Sequence, residues 1–282
     1  MLRVGRIRYI NCYPVYGAID RSIVPLDGTL VSGVPTELNR LMMNGDLDVS
    51  VVSAIEYARA ANEWLLLPEI GITSDGPVRS VMLFSKHNPR ELGGKRVLVS
   101  KSSMTSVALL ELLFEHVWHC QPEFVPGNAE VSDMAQFAIE SHDARLIIGD
   151  AALKLFDDSN RGGHWGQVYP WRADLGAAWK EWTGLPFVFA VWVARRSTPV
   201  HASLAAHASL IASRDWGLQH LDVLASQAAE VSGVPLETCK TYFEGLDYRL
   251  SYPHLAGLTE FFRRLVLAGR VPDGTLAFLP AA

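Results

Sequence analysis

The stretch Val4-Gly-Arg-Ile-Arg-Tyr-Ile-Asn11-Cys-Tyr-Pro14-Val15 decides the fold. From Val4 to Ile10 apolar residues alternate with polar ones, the period of a β-strand, and Pro14 then suits the first turn of a helix, where its missing N–H costs nothing. Asn11 therefore falls at the carboxyl end of a first strand and near a helix N-terminus. In an open α/β sheet ligands bind outside the carboxyl ends of the strands, and a helix N-terminus offers unpaired N–H groups to anions. The junction predicts a small anionic ligand. Asn is also a favoured cap residue, so within this segment capping and ligand binding stand side by side.

The same strand-to-helix pattern continues outward. Leu30 to Val34 and Val49 to Val52 read as strands, and between them Thr36 to Met43 reads as a helix stopped by Asn44-Gly45, a suitable left-handed end. Such alternation over the first two-thirds predicts a mostly parallel sheet covered by helices, the α/β class. A strand closing at Leu83 to Ser85 is broken by His87-Asn88-Pro89, and a fresh one starts at Arg96 to Val99 after Gly93-Gly94. A second lobe is expected to begin near residue 88. Val107, Leu110, Phe114 and Val117 recur at helical spacing, Arg145 to Ile148 reads as a strand ending at Gly149-Asp150, and Phe187 to Ala194 is an apolar run fit for a buried strand. Arg195-Arg196-Ser-Thr-Pro199 then turns the chain back, and the remainder is mainly helical, ending in an amphipathic helix through Leu255, Leu258, Phe261, Phe262 and Leu265. The expected division is 1–87 plus 196–282 for one lobe and 88–195 for the other, with two crossings that imply a hinged cleft.

Composition narrows the function. The 282 residues are 49% hydrophobic, ample for a buried core, and the net charge of −5 is spread without a Lys/Arg run, which disfavours nucleic acid as a partner. No window approaches the roughly 18 apolar residues of a membrane span, and no secretory leader is evident at the N-terminus, so a cytoplasmic protein without a membrane partner is expected. Cys12, Cys120 and Cys239 are distant and odd in number, which argues against a disulfide framework. His116, His119 and Cys120 form only a weak metal-like cluster, and no metal is expected. Cys12 has no nearby His in sequence to activate it and reads as a packed side chain. Neither a phosphate-loop lysine signature nor a glycine-rich dinucleotide fingerprint appears.

Several junctions carry polar groups beyond structural need. Ser102, Ser103, Thr105 and Ser106 open the helix that follows Val99 and exceed what one cap requires. Asp150 sits at another strand-to-helix junction, where capping would also account for it. Asp75-Gly76-Pro77-Val78-Arg79-Ser80 precedes the first crossing and would bring Ser80 close to the cleft. The aromatic group Trp179, Trp182 and Phe187 suits either the cleft wall or the core.

Taken in order, Asn11-Cys-Tyr-Pro14, Gly76-Pro-Val-Arg-Ser80, Ser102-Ser-Met-Thr-Ser106, Ile148-Gly-Asp-Ala-Ala152 and Trp179-Lys-Glu-Trp-Thr-Gly-Leu-Pro-Phe187-Val-Phe-Ala190 resemble the chorismate dehydratase family of the futalosine route to menaquinone. The likeness runs through nearly the whole chain, and Trp179 to Ala190 is its strongest part. It implies a two-lobed fold like that of type II periplasmic solute-binding proteins, in a cytosolic hydro-lyase that needs no cofactor. The implied reaction converts chorismate to 3-[(1-carboxyvinyl)oxy]benzoate and water: a proton leaves the ring carbon bearing the enolpyruvyl ether, and the neighbouring hydroxyl is expelled as the ring becomes aromatic. Asn11, Ser80 and Asp150 are the expected catalytic residues, and Ser102, Ser103, Thr105, Ser106 and Gly149 the expected substrate contacts. Neutral amides and unactivated hydroxyls are poor general bases. The proton acceptor is therefore either a carboxylate of the substrate or an acidic side chain such as Asp150. Two other functions fit a hinged fold: a non-catalytic sensor for a small carboxylate, and the sister enzyme late in the same route, whose opening motif has a different order.

Overall fold

A strand entered from a cleft has to run away from it, and that constraint organises both sheets of the computed structural model, which describes residues 1–100, 103–127 and 141–280. Along the chain come β1 (Leu2–Ile7), a 3₁₀ turn (Ile10–Cys12), α1 (Tyr13–Asp20), β2 (Gly28–Gly33), α2 (Pro35–Asn44), β3 (Val49–Ser53), α3 (Ala54–Arg59) and β4 (Trp64–Ser74). The next part holds β5 (Val81–Ser85), β6 (Arg96–Ser100), α4 (Met104–Leu113), β7 (Glu123–Gly127), β8 (Ala144–Ile148), α5 (Gly149–Asn160), α6 (His164–Val168), β9 (Trp171–Asp174) and α7 (Leu175–Thr183). Last are β10 (Phe187–Arg195), α8 (Val200–Gln219), α9 (Leu221–Ser232), α10 (Leu236–Gly245) and α11 (Tyr252–Leu267).

The strands form two five-stranded sheets of matching order, β2-β1-β3-β10-β4 and β7-β6-β8-β5-β9. In the first, β1 pairs parallel with β2 and β3, while β10 is antiparallel to β3 and β4. In the second, β6 pairs parallel with β7 and β8, while β5 is antiparallel to β8 and β9. The reversed strand in each sheet is the one that arrives from the other sheet; four of the eight strand pairings are antiparallel as a result, and the expectation of mostly parallel pairing holds only among β1, β2 and β3 and among β6, β7 and β8. Sheet membership changes between Ser74 and Val81 and again between Asp174 and Phe187, one strand earlier than the boundaries expected after 87 and after 195.

Local chemistry explains the elements that frame the cleft. β10 is buried from Phe187 to Ala194, as its continuous apolar run demands, and β5 and β3 are buried throughout, β3 even at Ser50 and Ser53. Inside the core Trp192 Nε1 donates to Tyr16 OH (3.0 Å), which donates to the Gly5 carbonyl (2.9 Å), pairing polar groups that burial would otherwise penalise. α2 ends where Gly45 takes φ of 82°, as its sequence predicts. Trp179 and Phe187 are core residues: each meets Phe261 of α11 edge-on, and Trp179 Nε1 donates to the Pro186 carbonyl at 3.2 Å.

Candidate active site

Asn11 lies in the 3₁₀ turn between β1 and α1, not at the cap of α1; that position falls to Cys12, whose side chain makes no cap bond. The Asn11 Oδ1 atom is buried and has no hydrogen-bond partner among the described residues. Capping therefore does not explain it, and a buried acceptor with no donor is what a ligand-facing group looks like. Cys12 beside it is buried, and burial pushes its thiol up to about 12, which keeps it protonated and unreactive.

Asp150 reaches across from the second sheet to this turn. Its Oδ1 accepts the Ile10 backbone N–H at 3.3 Å, so the side chain ties α5 to the element that carries Asn11 instead of capping its own helix. Burial pushes the Asp150 carboxyl up to about 6, against the opposing pull of the Ile10 N–H and the Lys154 charge. Gly149, just before it, has φ of 64°, and a Cβ there would stand 3.3 Å from the Tyr9 ring. The close approach of the two halves at this point requires glycine.

Ser80 is 4% exposed and held from three sides. Its carbonyl accepts the Gly149 N–H (2.8 Å), its own N–H donates to the Val78 carbonyl (2.7 Å), and its Oγ accepts the Tyr242 hydroxyl (2.8 Å) from α10. Asp174 fixes the loop leading to it: the carboxylate accepts N–H groups from Val78 (3.0 Å) and Arg79 (2.6 Å) while capping α7 through Ala177 (3.0 Å). Burial raises its pKa, offset in part by these donors. Asp174 and Tyr242 were not singled out from sequence; an Asp before a helix reads as an ordinary cap, and a helical Tyr as core.

The hydroxyl-rich turn divides. Ser102 lies outside the described residues. Ser103 and Ser106 bond each other, Oγ to Oγ, at 2.8 Å, and neither side chain of that pair is spent capping α4 from Ser103. Thr105 Oγ1 accepts the Ile55 N–H at 3.2 Å, so it joins the starts of α3 and α4 across the two sheets. Because helices follow the carboxyl ends of parallel strands, the N-termini of α1, α4 and α5 all turn toward the space between the sheets and favour negative charge there. Two surface cavities, of about 510 and 730 Å³, lie elsewhere, one beside α3 and α11 and the other beside β4 and α8. His116 stacks on Trp182 and Cys120 Sγ donates to the Pro89 carbonyl; among the described residues no group of three or more His, Cys, Asp or Glu is placed to hold a metal ion. No described helix is long and apolar enough to cross a membrane.

Comparison with known proteins adds three findings. A family model described as menaquinone biosynthesis matches residues 2–266. A curated protein of Thermus thermophilus named chorismate dehydratase is 33% identical over 276 residues, covering 94% of this chain and 95% of that one, and a Campylobacter jejuni protein of the same name is 29% identical over 192 residues, 66% of this chain and 64% of that one. Among solved structures, a protein from Archaeoglobus fulgidus superposes with a TM-score of 0.74 at 18% identity over 96% of this chain and 98% of that one. The alkanesulfonate-binding protein of Xanthomonas axonopodis bound to MOPS gives 0.68 at 15% identity, over 98% of this chain and 96% of that one. Likeness at such identities speaks to the fold, which is that of the periplasmic binding proteins.

Proposed function

The chain belongs to the menaquinone-biosynthesis family and carries the chorismate dehydratase activity for which its curated relatives are named; from that premise we propose that the reaction runs between the two sheets, at Asn11, Ser80 and Asp150. It acts as a hydro-lyase, releasing water and 3-[(1-carboxyvinyl)oxy]benzoate. The observation that carries the placement is the convergence of Asn11, Asp150 and Ser80 through the bonds Asp150 to Ile10 N–H and Gly149 N–H to Ser80.

Chorismate brings two carboxylates. The N-termini of α4 and α5 and the Ser103 and Ser106 hydroxyls supply neutral donors for them, with Gly149 letting the backbone approach closely. Asn11 and Ser80 face the reacting ring. As the ring proton leaves, charge builds on the conjugated ring carboxylate, where each preorganised donor is worth roughly 3 kcal/mol. Ser80 suits this, because Tyr242 donates to its Oγ and leaves its own proton to point at the substrate.

The proton passes to a carboxylate of the substrate itself and leaves with the departing hydroxyl as water. Placing a dianion beside Asp150 raises that carboxyl further above about 6, toward its protonated form, which cannot accept a proton. Asp150 then serves to close the cleft on Ile10. The same near-neutral carboxyl favours a second reading, in which Asp150 takes the ring proton, since a base works best with a pKa near the working pH. Turnover by Asp150→Asn separates the two. Asn keeps an oxygen for the Ile10 N–H, so the substrate-as-base reading expects kcat within about tenfold of wild type, whereas loss of a general base costs about 10²–10⁴-fold.

A further inference from the structure

Immediately before Ser80 the backbone makes a turn that few residues adopt. The Ser80 N–H donates across a single residue to the Val78 carbonyl at 2.7 Å, and the residue between them, Arg79, has φ of 61°. A three-residue turn closed in this way about a positive φ is the rare, strained kind, and Arg79 bears a Cβ where glycine would sit without strain. Backbone strain of this sort persists only where neighbouring groups over-determine it, and it gathers at functional sites.

The groups that hold it come from the second crossing and from α10. Asp174, the last residue of β9, spends both carboxylate oxygens here: Oδ1 accepts the Val78 N–H (3.0 Å) and Oδ2 the Arg79 N–H (2.6 Å). From α10 the Thr241 carbonyl accepts the Arg79 guanidinium at 3.1 Å. The two crossings run close beside each other at this point. A Cβ on Gly176 would stand 2.5 Å from the Gly76 carbonyl oxygen and 2.8 Å from Ser74 Oγ, and Lys180 pairs with Asp75 at 2.5 Å. Capping explains only part of this carboxylate. One oxygen suffices for the Ala177 N–H at the start of α7, which Oδ1 accepts (3.0 Å), and the bond from Arg79 to Oδ2 adds nothing to that helix.

Resting on the placement of Ser80 at the reacting ring, we propose that Asp174 is a positioning residue for the dehydration: its carboxylate holds the strained turn from Val78 to Ser80 and thereby aims the Ser80 hydroxyl. The turn delivers Ser80 to its contacts, the carbonyl to the Gly149 N–H and Oγ to the Tyr242 hydroxyl, each at 2.8 Å. Without an acceptor for its N–H, Arg79 gains by relaxing to a negative φ, which turns the following peptide and moves Ser80 off those contacts. Asp174 touches no reacting atom in this scheme; it acts through Ser80.

The test is Asp174→Asn and Asp174→Ser, each alone and combined with Ser80→Ala, read by steady-state turnover of chorismate and by thermal melting. Both substitutions keep a capping oxygen for the Ala177 N–H, and neither can accept from Val78, Arg79 and Ala177 together; in Asn the amide N–H group must face one of these donors. The expected result in the wild-type background is a kcat lower by about tenfold to a hundredfold with KM within about threefold, because misplacing a reacting group by about 1 Å costs rate. In the Ser80→Ala background the same substitutions should change kcat by less than about twofold, since Asp174 acts only through that hydroxyl. A kcat within about twofold of wild type for both variants, or equal losses in the two backgrounds, overturns the proposal. So does failure of both variants to fold, which would make the carboxylate a support of the whole molecule. A Ser80→Ala protein with wild-type kcat removes the placement of Ser80 itself, and the proposal falls with it.

Discussion

Replacing Asp150 by Asn tests the electrostatics of the contact between the two sheets, and its effect on stability can be worked out from one group. The carboxyl sits near 3.8 in an unfolded chain and is pushed up to about 6 in the fold, chiefly by burial. A raised folded-state pKa means that the folded protein binds the proton more tightly. The contribution of this group is thus intact below about pH 3.8 and is lost as pH rises through about 6. At about 1.36 kcal/mol per unit, the roughly two-unit shift amounts to about 3 kcal/mol of destabilisation at pH 7.5 and about 1 kcal/mol at pH 4.5. Asn carries no charge to desolvate and retains an oxygen for the Ile10 N–H, although a neutral acceptor gives up about 1 kcal/mol of that bond. Asp150→Asn should therefore gain about 2 kcal/mol over wild type at pH 7.5 and be close to neutral at pH 4.5. Urea unfolding of both proteins at the two pH values reads this directly. A variant less stable than wild type at pH 7.5, or a difference that does not change with pH, would refute the reasoning.

Three further substitutions probe the frame of the site. Gly149→Ala places a Cβ at φ of 64° and 3.3 Å from the Tyr9 ring; it should cost about 1–2 kcal/mol in urea unfolding and weaken chorismate binding by calorimetry. Thr105→Val keeps the shape but removes the acceptor of the buried Ile55 N–H, and about 1–3 kcal/mol should be lost in the same unfolding assay with the sheets themselves intact by circular dichroism. Ser80→Ala deletes the hydroxyl proposed to face the ring and leaves Tyr242 unpaired; kcat should fall by about 10²–10³-fold with a small change in KM, whereas a large KM effect at constant kcat would place Ser80 in ground-state binding alone.

Much of the fold was legible because the chain keeps its local signals consistent. Alternation at Val4, the unbroken apolar run at β10 and the Asn44-Gly45 stop each specify their element without help from distant contacts. β4 was harder: Pro68 and Glu69, the latter at φ of 61°, interrupt its pattern, and the register against β10 shifts there. Strand direction at the crossings was not legible either, since it follows from the cleft and from no residue type. Asn11, Ser80 and Asp150 stood out at junctions, but the bond from Asp150 to Ile10 joins residues 140 apart and shows only in three dimensions. Thr105 read as one more hydroxyl of the turn, whereas its partner is the start of another helix. Asp174 and Tyr242 gave no signal of their own, because what sets them apart is which loop they hold.

On the proposed reading, the residues between the two sheets remove water from chorismate together with the substrate's own charges. Purified protein, incubated with chorismate alone and followed by chromatography with mass detection, measures it most directly. The expected result is 3-[(1-carboxyvinyl)oxy]benzoate, one water lighter than chorismate, accumulating above the protein-free background and diminished in Asn11→Ala. Tight binding of chorismate with no product would contradict it and identify a sensor for a small carboxylate in its place.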